Sequence, residues 1–482
     1  MAHFIDRQVE LAELNLLFDS TERGKSEFAL VYGRRRVGKT TLLLHWAEQS
    51  SRPFLYWVAR RDTTAATRQS LARAIWRWAY TGEDDPLPPR FDTWEALFEQ
   101  LGHLIGDSPV TVILDEFSYA AESDSSLPSH LQAAWDHIFK DKPITLVLSG
   151  SHIGMMVDLL DYQAPLYGRF TGQLPLTPLP FAALEDFFPN YSAEERVATY
   201  AILGGVAGYW ERFNPEQSLV QNIRQHLFRP MSMFRSEPTV LISDLVRETR
   251  NYEAILRAIA SGERTPTEIA KTTDISSPNL SPYLKRLIKL GLIERRVPAT
   301  IPLPQRRTTT RSRYHLADPY LCFYFRFMEP NLELIEQNRT QLLWQRIQEQ
   351  LRAFIGATTW EELCREWVLL QADLGNLPFD VELVGSHWSK QSQIDVVAMN
   401  WRDKAVLLGE CKWGLQPVGR KIIGDLVAKR TDAIPDADWQ VTYAYFARAG
   451  FTKEARKEAE SIGALLVDLE QIDSDLRTAL IR

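Results

Sequence analysis

The segment AVLLGECKWG, from Ala405 to Gly414, ends an apolar run with a carboxylate and an ammonium group. The run predicts a strand buried on both faces, so charges at its end must be solvated, paired or used. Residues two apart on a strand point to the same face, which places Glu410 beside Lys412. Upstream, SQIDVVAMN predicts an antiparallel neighbour that brings Asp395 to the same strand end. Two carboxylates and a lysine can hold Mg²⁺ against a phosphodiester and stabilise the attacking hydroxide.

An acid on the preceding helix would complete this set. The segment TTWEELCREWVLLQ predicts an amphipathic helix, and Glu361 borders its buried face. That face consists of Trp360, Leu363, Cys364 and Trp367. Alternatively, Thr358 and Thr359 with Glu361 and Glu362 form a capping box, which needs no metal. For the two strands, the corresponding alternative is a salt bridge at their ends.

An acid on one strand followed by Glu-x-Lys on the next resembles the PD-(D/E)XK nucleases. The resemblance implies a restriction-endonuclease-like α/β domain over residues 340–482, with metal bound by Asp395 and Glu410. The catalytic residues that it implies are Glu361, Asp395, Glu410 and Lys412. The downstream helix GRKIIGDLVAKR would lay basic side chains along a DNA backbone, or carry them as ordinary surface charge. These side chains are Arg420, Lys421, Lys429 and Arg430.

A second site is predicted where FALVYGRRRVGKT runs from Phe28 to Thr40. An apolar strand, the spacing G-x-x-x-x-G-K-S/T and a following helical pattern are typical of a P-loop. Backbone N–H groups and the helix N-terminus would bind phosphate, Lys39 would bridge the β- and γ-phosphates, and Thr40 would hold Mg²⁺. The predicted nucleotide-binding residues are Gly33, Arg34, Arg35, Arg36, Val37, Gly38, Lys39 and Thr40.

Two further strands are expected near the P-loop strand. VTVILDEF ends in Asp115 and Glu116, as a Walker B strand does, with Asp115 on Mg²⁺ through water and Glu116 orienting the attacking water. ITLVLSGS ends with Ser149 and Ser151, which would sense the γ-phosphate or simply occupy a turn. Strands that alternate with helical segments predict a parallel sheet covered on both faces. The phosphate site then lies at the carboxyl ends of its strands.

Five segments in order, FIDRQVEL, GRRRVGKT, VILDEF, PLYGRF and GGVAGYW, resemble the archaeal-type ATPases, which are STAND-like signalling NTPases close to AAA+ proteins. The resemblance implies ATP and Mg²⁺ as cofactors and places the Phe4 to Leu11 segment near the adenine. It also makes Arg169 the arginine that meets a γ-phosphate, within one chain or across a homo-oligomer. The family usually has proline where this chain has Ala207, which affects the adenine contact but not the phosphate site.

Between Asn251 and His315 the pattern changes to three short helices followed by two strands. The third helix lies in SSPNLSPYLKRLIKLG, with Ser277 as its N-cap and Gly291 as its terminator. This is the order of a winged helix-turn-helix, and LKRLIKLGLIERR is similar to the third helix and wing of many DNA-binding examples. The predicted core face of the helix is Leu280, Leu284, Leu287 and Ile288. The residues left to contact DNA are Asn279, Ser281, Lys285, Arg286 and Lys289.

The predicted wing is basic. Residues 294–313 contain six arginines and one acid, which suits contacts with DNA phosphates. The arginines are Arg295, Arg296, Arg306, Arg307, Arg311 and Arg313. The alternative is a purely intramolecular role, because winged helices also serve as packing modules and basic residues also form solvated faces.

Composition bounds the remaining classes. A chain of 482 residues that is 45% hydrophobic predicts several globular domains, and a net charge of −7 excludes coating of nucleic acid by bulk charge. The three cysteines, Cys322, Cys364 and Cys411, form no C-x-x-C pair, which fits a reducing compartment. No apolar run approaches the roughly 18 residues that span a bilayer, and the first residues do not resemble a signal peptide. A cytoplasmic protein without membrane contact is predicted.

The sequence therefore predicts an α/β multidomain protein. A P-loop NTPase parallel sheet with a helical lid would cover residues 1–245, a winged helix-turn-helix 246–330, and the restriction-endonuclease-like domain 340–482. ATP hydrolysis would reposition the winged helix and the nuclease on DNA. Two alternatives remain open. One is a signalling ATPase whose tail binds protein, and the other is an ATP-gated DNA-binding regulator with a silent nuclease fold.

Overall fold

The computed structural model describes residues 4–50, 52–80, 87–243, 246, 249–434, 436 and 438–480. The chain divides into two compact units. The first consists of Met1–Leu179, Val206–Gly208 and Leu241–Arg247, and the second of Pro180–Gly205, Tyr209–Val240 and Glu248–Arg482. The helices that follow the P-loop domain in sequence therefore cluster largely with the C-terminal part of the chain.

The first unit is built on a parallel five-stranded sheet in the order β2-β3-β4-β1-β5. Its strands are β1 Glu27–Tyr32, β2 Phe54–Val58, β3 Val110–Asp115, β4 Ile144–Gly150 and β5 Gly172–Pro175. Its helices are α1 Gln8–Glu22, α2 Lys39–Gln49, α3 Thr64–Ala79, α4 Trp94–Ile105, α5 Phe117–Ser123, α6 Leu127–His137 and α7 Ile153–Asp158.

Both faces of this sheet are covered, as the apolar strands predict. Alternate residues of β1 belong to two different apolar clusters, Phe28 and Leu30 to one and Ala29 and Val31 to the other. Successive side chains of a strand point to opposite faces, so the two clusters lie on the two sides of the sheet. The prediction of a parallel sheet packed on both sides is confirmed.

The second unit begins with short helices and continues into a small helical domain with a two-stranded sheet. The first helices are α8 Leu184–Phe187, α9 Ala193–Leu203 and α11 Leu219–Asn222, whereas α10 Ala207–Trp210 and α12 Met233–Ser243 are divided between the two units. There follow α13 Arg250–Ser261, α14 Pro266–Thr273, α15 Ser277–Lys289, β6 Ile293–Arg296 and β7 Arg313–Leu316. Strands β6 and β7 pair antiparallel. Three helices followed by an antiparallel hairpin form the predicted winged helix.

Two details of the third winged-helix helix differ from the prediction. The N-cap of α15 is Ser276 rather than Ser277, because Ser277 already has helical geometry. Ile288 is 39% exposed and does not join the core face, which is formed by Leu280, Leu284 and Leu287. Three residues suffice for that face because the helix packs along one narrow stripe.

The C-terminal part of the second unit carries a mixed sheet in the order β12-β11-β10-β9-β8. Strands β9 and β10 pair antiparallel, whereas β10, β11 and β12 are parallel. The strands are β8 Leu383–Trp388, β9 Gln393–Asn400, β10 Ala405–Lys412, β11 Gln440–Ala447 and β12 Leu465–Asp468. The helices are α16 Pro319–Phe323, α17 Leu332–Glu336, α18 Thr340–Ile355, α19 Glu361–Asp373, α20 Arg420–Ala433, α21 Lys453–Ser461 and α22 Leu469–Leu480.

A π-helical turn, Gly356–Trp360, joins α18 directly to α19. Thr358 and Thr359 therefore lie inside a continuous helical segment, and the Thr358 hydroxyl donates to the Phe354 carbonyl. The capping-box alternative for Glu361 is wrong, since no helix begins there. A Cβ at Gly356 would lie 3.2 Å from the Cβ of Trp413, so the turn packs closely against the end of β10. Such turns often occur at functional sites.

A buried ion pair holds the early helices of the second unit to its last helix. The guanidinium of Arg196, on α9, donates to the Asp473 carboxylate of α22 at 2.9 and 2.5 Å. Both side chains are almost fully buried.

In the described parts of the chain, no helix has both the length and the apolar composition that a membrane crossing requires.

Candidate functional sites

The P-loop between β1 and α2 is held by close backbone contacts. Gly33 cannot carry a side chain, because a Cβ there would lie 2.3 Å from the Leu176 carbonyl oxygen. Gly38, at the N-cap of α2, has φ of 103°, a left-handed conformation that glycine adopts without strain. Arg36 also has a positive φ of 63°, and its carbonyl accepts a hydrogen bond from the Gly208 N–H at 3.0 Å. The segment GGVAGYW thus fixes the loop through Gly208.

Lys39 lies inside this loop. Its Nζ donates to the carbonyls of Gly33 and Arg34, at 2.9 and 3.1 Å. Burial lowers the pKa of Lys39, while the nearby carboxylates of Glu116 and Asp115 oppose that shift. The ammonium is therefore aimed into the loop that the sequence predicts for the phosphates.

The N-terminal segment also supports the P-loop. Arg7 is buried and donates to the carbonyls of Val37 and Thr177, at 3.1 and 2.8 Å. The ring of Phe4 stacks on His45 of α2, with 3.8 Å between ring centroids. The predicted segment therefore lies against the P-loop and its helix, and its role at the adenine stays a prediction.

Replacing Arg7 tests this support. Arg7→Met keeps an apolar stem but removes the hydrogen bonds to Val37 of the loop and to Thr177. We therefore expect ATP to bind about tenfold more weakly, as the loss of roughly 1.4 kcal/mol would give. Calorimetric titration with a slowly hydrolysed ATP analogue measures this. The matched control is Arg23→Met, at the exposed end of the same helix. Equal affinities for the two variants would contradict the assigned support.

Asp115 and Thr40 meet as a Walker B site requires. The Asp115 Oδ2 accepts from the Thr40 hydroxyl at 2.6 Å and from the Tyr56 hydroxyl at 3.0 Å. Burial, followed by Asp115, raises the pKa of Tyr56. A carboxylate beside a hydroxyl is a donor set that fits Mg²⁺. Sequence reasoning missed Tyr56, whose only signal is its place near the end of a strand that pairs with the Asp115 strand.

Glu116 is held by Ser151. The carboxylate oxygens of Glu116 accept from the Ser151 hydroxyl at 2.6 and 2.7 Å, and one of them accepts from the Ser151 N–H at 3.2 Å. The Ser149 hydroxyl is buried, with no hydrogen-bond partner among the described residues. Ser151 therefore contacts the predicted catalytic acid, and γ-phosphate sensing by either serine stays a prediction.

Arg169 is engaged away from the P-loop. Its guanidinium forms a two-pronged ion pair with Asp136 of α6, with distances of 2.7 to 3.1 Å, and also donates to the carbonyls of Pro165 and Tyr167. The hydrogen bond from Arg169 lowers the pKa of Asp136. The structure does not bring Arg169 to the predicted phosphate site, and its role at a γ-phosphate stays a prediction.

The second candidate site lies at the end of β10. Strands β9 and β10 pair so that Val396 lies opposite Gly409, and the Asp395 Oδ2 accepts from the Cys411 N–H at 3.0 Å. Asp395 and Glu410 are both buried. The structure thus brings the two predicted strand acids to one end of the strand pair.

Two lysines donate hydrogen bonds to the carboxylate of Glu410. The Lys412 Nζ donates to one oxygen of Glu410 at 2.6 Å, and the Lys429 Nζ of α20 donates to the other at 2.8 Å. The sequence predicted Lys412 in this site but offered Lys429 only as one of four basic residues on its helix. Residue spacing could not distinguish Lys429, because the distance from α20 to β10 is set by packing.

Glu361 interacts electrostatically with these acids. Burial, followed by the charge of Asp395, raises the pKa of Glu361 to about 8. Burial, followed by Glu410, also raises the pKa of Asp395. Adjacent buried carboxylates favour a bound cation because it relieves their repulsion. Nevertheless, no group of three or more metal-ligating side chains is arranged to hold an ion within the described residues.

Arg365 is a site residue that sequence reasoning missed. Its Nη1 donates to the Asp395 carbonyl at 2.5 Å and lies 3.7 Å from a Glu361 oxygen. Its Nε donates to Glu362 at 3.1 Å. Sequence position offered no clear signal, because with about 3.6 residues per turn Arg365 lies on the other side of the helix from the face that was predicted to be buried. A buried arginine requires acceptors, so it marks a polar cluster.

Most wing arginines are engaged within the second unit. Arg295 and Arg306 donate to carbonyls of residues 297–309, Arg296 pairs with Glu294 and Glu362, and Arg313 lies 4.8 Å from the Trp388 ring. Arg307 and Arg311 are exposed. Four arginines of the predicted phosphate-binding wing are therefore in intramolecular contacts. Arg295 and Arg306 bind carbonyls of the wing itself, whereas Arg296 and Arg313 also contact the C-terminal part of the chain.

The third helix of the winged helix presents a polar face to solvent. Asn279, Ser281 and Lys285 are exposed, on the side of α15 away from its three buried leucines. This face and the exposed Arg307 and Arg311 of the wing are the surfaces on which the structure leaves predicted DNA-contacting residues accessible.

His315 of β7, which is half-buried and surrounded by arginines, gives a pH prediction. Burial, followed by Arg296, Arg264, Arg365 and Arg313, lowers the pKa of His315 to about 2. The unfolded chain, with a histidine pKa near 6.5, binds the proton more readily, so this contribution to stability is present above about pH 6.5 and declines below it. Between pH 7 and 5.5 we expect a loss of about 1 kcal/mol that His315→Gln lacks.

Urea unfolding of both proteins at the two pH values, followed by intrinsic fluorescence, measures this difference. If the parent and His315→Gln lose equal stability on acidification, the histidine is not held neutral in the folded protein.

Three families match this chain. Residues 4–212 match the family described as ATPase domain predominantly from Archaea, residues 249–300 match the MarR family, and residues 324–422 match a family of archaeal and bacterial proteins of unknown function. The protein MJECL04 of Methanocaldococcus jannaschii is 32% identical over 412 residues, covering 85% of this chain and 87% of its own. The relation therefore spans nearly all of both proteins.

Two solved structures are each similar to about two thirds of the chain or more. The Walker-type ATPase PABY2304 of Pyrococcus abyssi is 21% identical with a TM-score of 0.49, covering 67% of this chain and 96% of its own. The ORC2 protein of Aeropyrum pernix, solved as ADPNP-ADP complexes, is 16% identical with a TM-score of 0.43, covering 71% and 98%. At these values neither structure adds an argument about activity.

Proposed function

This chain belongs to one family with MJECL04 of Methanocaldococcus jannaschii and carries an ATPase domain of a type found predominantly in Archaea. On that premise we propose that it uses ATP to control a metal-dependent nuclease site acting on DNA. The observation that carries the proposal is the meeting of Asp395, Glu410 and Lys412 at one end of the β9–β10 pair, beside Glu361. A salt bridge alone would not require two further buried carboxylates with raised pKa values next to it.

In the ATPase site, each residue has a role that its contacts support. The P-loop N–H groups and Lys39 bind the β- and γ-phosphates, and Glu116 orients the attacking water. Thr40 and Asp115 would hold Mg²⁺, which would neutralise charge on the phosphates. Because Ser151 holds the Glu116 carboxylate, Glu116 must release Ser151 or share it with the water that it activates.

In the C-terminal site, Asp395 and Glu410 would hold a divalent cation, which would supply Lewis-acid activation of water and of the scissile phosphate. Glu410 binds the cation more readily when Lys412 or Lys429 leaves one of its oxygens. The released ammonium then lies where the negative charge of a phosphodiester develops. A substrate phosphate thus replaces Glu410 as the partner of the lysine.

Contacts with DNA are assigned to two surfaces. The polar face of α15, with Asn279, Ser281 and Lys285, suits the groove or the phosphates of a duplex. The exposed Arg420 and Lys421 at the start of α20 lie on the helix that also carries Lys429. A basic helix beside the carboxylates supports a polyanionic substrate for that site.

A second function, an ATP-gated DNA-binding regulator with a silent nuclease fold, is favoured by one specific observation. Both oxygens of Glu410 are bound by lysines, and the described residues hold no ready-made metal cluster. On this reading, the acids and lysines form a buried structural network at the end of β10. If the tail instead binds protein, the same residues would be present but DNA would not change ATP hydrolysis.

The test is cleavage of plasmid and single-stranded DNA by the full chain with Mg²⁺ or Mn²⁺, with and without ATP. We expect metal-dependent cleavage whose response to ATP disappears in Lys39→Ala, because that variant loses the phosphate-binding ammonium. The matched control is Lys25→Ala, an exposed lysine of the same unit. Absence of metal-dependent cleavage from every form would favour the regulator instead.

A further inference from the structure

The winged helix is seated on the edge of the C-terminal sheet. The Ala299 N–H donates to the Ser386 carbonyl of β8 at 2.8 Å, and the Thr300 hydroxyl lies 2.8 Å from His387 Nδ1. Ala299 is fully buried and belongs to the apolar cluster of the C-terminal sheet. The segment after β6 therefore covers edge strand β8 and ties the winged helix to the domain that carries the acids.

A continuous set of charged contacts runs from this contact region to the carboxylate site. Arg296, at the end of β6, pairs with the first oxygen of Glu362 on α19. Arg365 shares that oxygen through its Nη2 at 2.8 Å and takes the second through its Nε at 3.1 Å. The remaining nitrogen of the same guanidinium donates to the Asp395 carbonyl at 2.5 Å and faces Glu361 at 3.7 Å.

We propose that Arg365 is a positioning residue of the carboxylate site and that the winged helix sets its position through Arg296 and Glu362. This deepens the nuclease proposal, on which it rests only for what the site does. Glu362 is shared between two guanidinium groups, so Arg296 limits how strongly Glu362 pulls on Arg365. Arg365 in turn fixes the backbone of Asp395 and stays short of a full ion pair with Glu361.

Two rearrangements follow if the shared carboxylate is disturbed. Without Arg296, Glu362 pairs with Arg365 alone, which draws the guanidinium towards Glu362 and weakens its bond to the Asp395 carbonyl. Without the charge of Glu362, Arg365 is free to close on Glu361, the next carboxylate in reach. In both cases the acids at the end of β9 and β10 shift, although neither substitution touches them.

Hydrogen exchange of the full chain tests the proposal without metal or DNA. Arg296→Ala is expected to speed amide exchange by about threefold or more in peptides that cover 394–397 and 409–412, because the Asp395 carbonyl and its partner Cys411 N–H loosen. Arg296→Lys, which keeps a cation for Glu362, is expected to stay within about twofold of the parent. The matched control is Arg295→Ala, because Arg295 neighbours Arg296 in β6 but donates to carbonyls of its own hairpin.

A double-mutant cycle of Arg296→Ala with Glu362→Gln separates coupling from general loosening. If the contacts act in series, the double variant exchanges no faster in these peptides than the more affected single variant. Multiplied effects, or equal effects of Arg296→Ala and Arg295→Ala, would overturn the proposal. Glu362→Gln changes no residue of the winged helix, and by itself it is expected to speed exchange in the same peptides. The proposal therefore stays testable if Arg296→Ala fails to fold.

Mn²⁺ titration distinguishes failure of this inference from failure of the nuclease. We expect Arg365→Ala to weaken Mn²⁺ binding by about tenfold and Arg296→Ala by about threefold, with Arg295→Ala unchanged. If the variants show the expected exchange changes but the parent neither binds Mn²⁺ nor cleaves DNA, the nuclease proposal is wrong and the coupling through Glu362 stands. If the parent cleaves DNA but Arg296→Ala leaves amide exchange unchanged, the coupling is wrong and the nuclease proposal stands.

Discussion

Lys412→Ala is expected to lower metal-dependent DNA cleavage by about 10²- to 10³-fold while changing DNA affinity by less than about threefold. The ammonium of Lys412 lies 2.6 Å from Glu410, so it sits where charge develops on a phosphate held by the acids. One lysine among many basic contacts contributes little to binding of a polyanion. The effect should therefore appear in the rate of cleavage under saturating DNA.

Lys429→Ala provides the internal comparison for that result. Lys429 binds the other oxygen of Glu410 but lies on α20, outside the Glu-x-Lys pair of β10, so we expect a smaller loss of about tenfold from Lys429→Ala. The surface control is Lys453→Ala, at the exposed start of α21 in the same domain. Cleavage by Lys412→Ala at the rate of Lys453→Ala would exclude Lys412 from the chemistry.

Glu116→Gln is expected to lower the rate of ATP hydrolysis by about 10²- to 10³-fold and to leave ATP affinity within about threefold of the parent. The amide keeps the size of the side chain but cannot orient and accept a proton from the attacking water. Phosphate binding depends instead on Lys39 and the loop backbone. Steady-state hydrolysis and analogue binding, measured on the same preparation, separate the two effects.

Ser151→Ala distinguishes the carboxylate from its holder. It removes the hydroxyl hydrogen bonds to Glu116 but keeps the acid, so we expect a change in hydrolysis of less than about tenfold. A loss as large as that of Glu116→Gln would move the essential role to Ser151. Unchanged hydrolysis in Glu116→Gln would remove the assignment of Glu116 as the water-orienting acid.

The helices predicted as an ATPase lid pack largely with the C-terminal part of the chain. The buried pair of Arg196 and Asp473 joins residues that are far apart in sequence and holds α9 to α22. Sequence patterns give no partner for the buried arginine of α9. Domain limits at residues 245, 330 and 340 therefore stay predictions, whereas the compact units follow from the packing.

Local chemistry was readable from the sequence where the requirement is itself local. The P-loop needs glycine at Gly33 and Gly38, and a strand places Glu410 and Lys412 on one face because its side chains alternate. Apolar runs predicted β3, β4, β9 and β10, since buried strands need uninterrupted apolar residues. These features depend on a few neighbouring residues and on backbone geometry alone.

The tertiary structure decided which charges meet across long separations. Arg365 reaching the Asp395 carbonyl, Lys429 reaching Glu410, and Arg296 reaching Glu362 rather than DNA each depend on how helices and hairpins pack. A buried charge takes the acceptor that packing brings within reach, and spacing along the chain does not specify that acceptor. The sequence by itself thus determined the reactive groups of this protein, and only the fold decided which of them are held together.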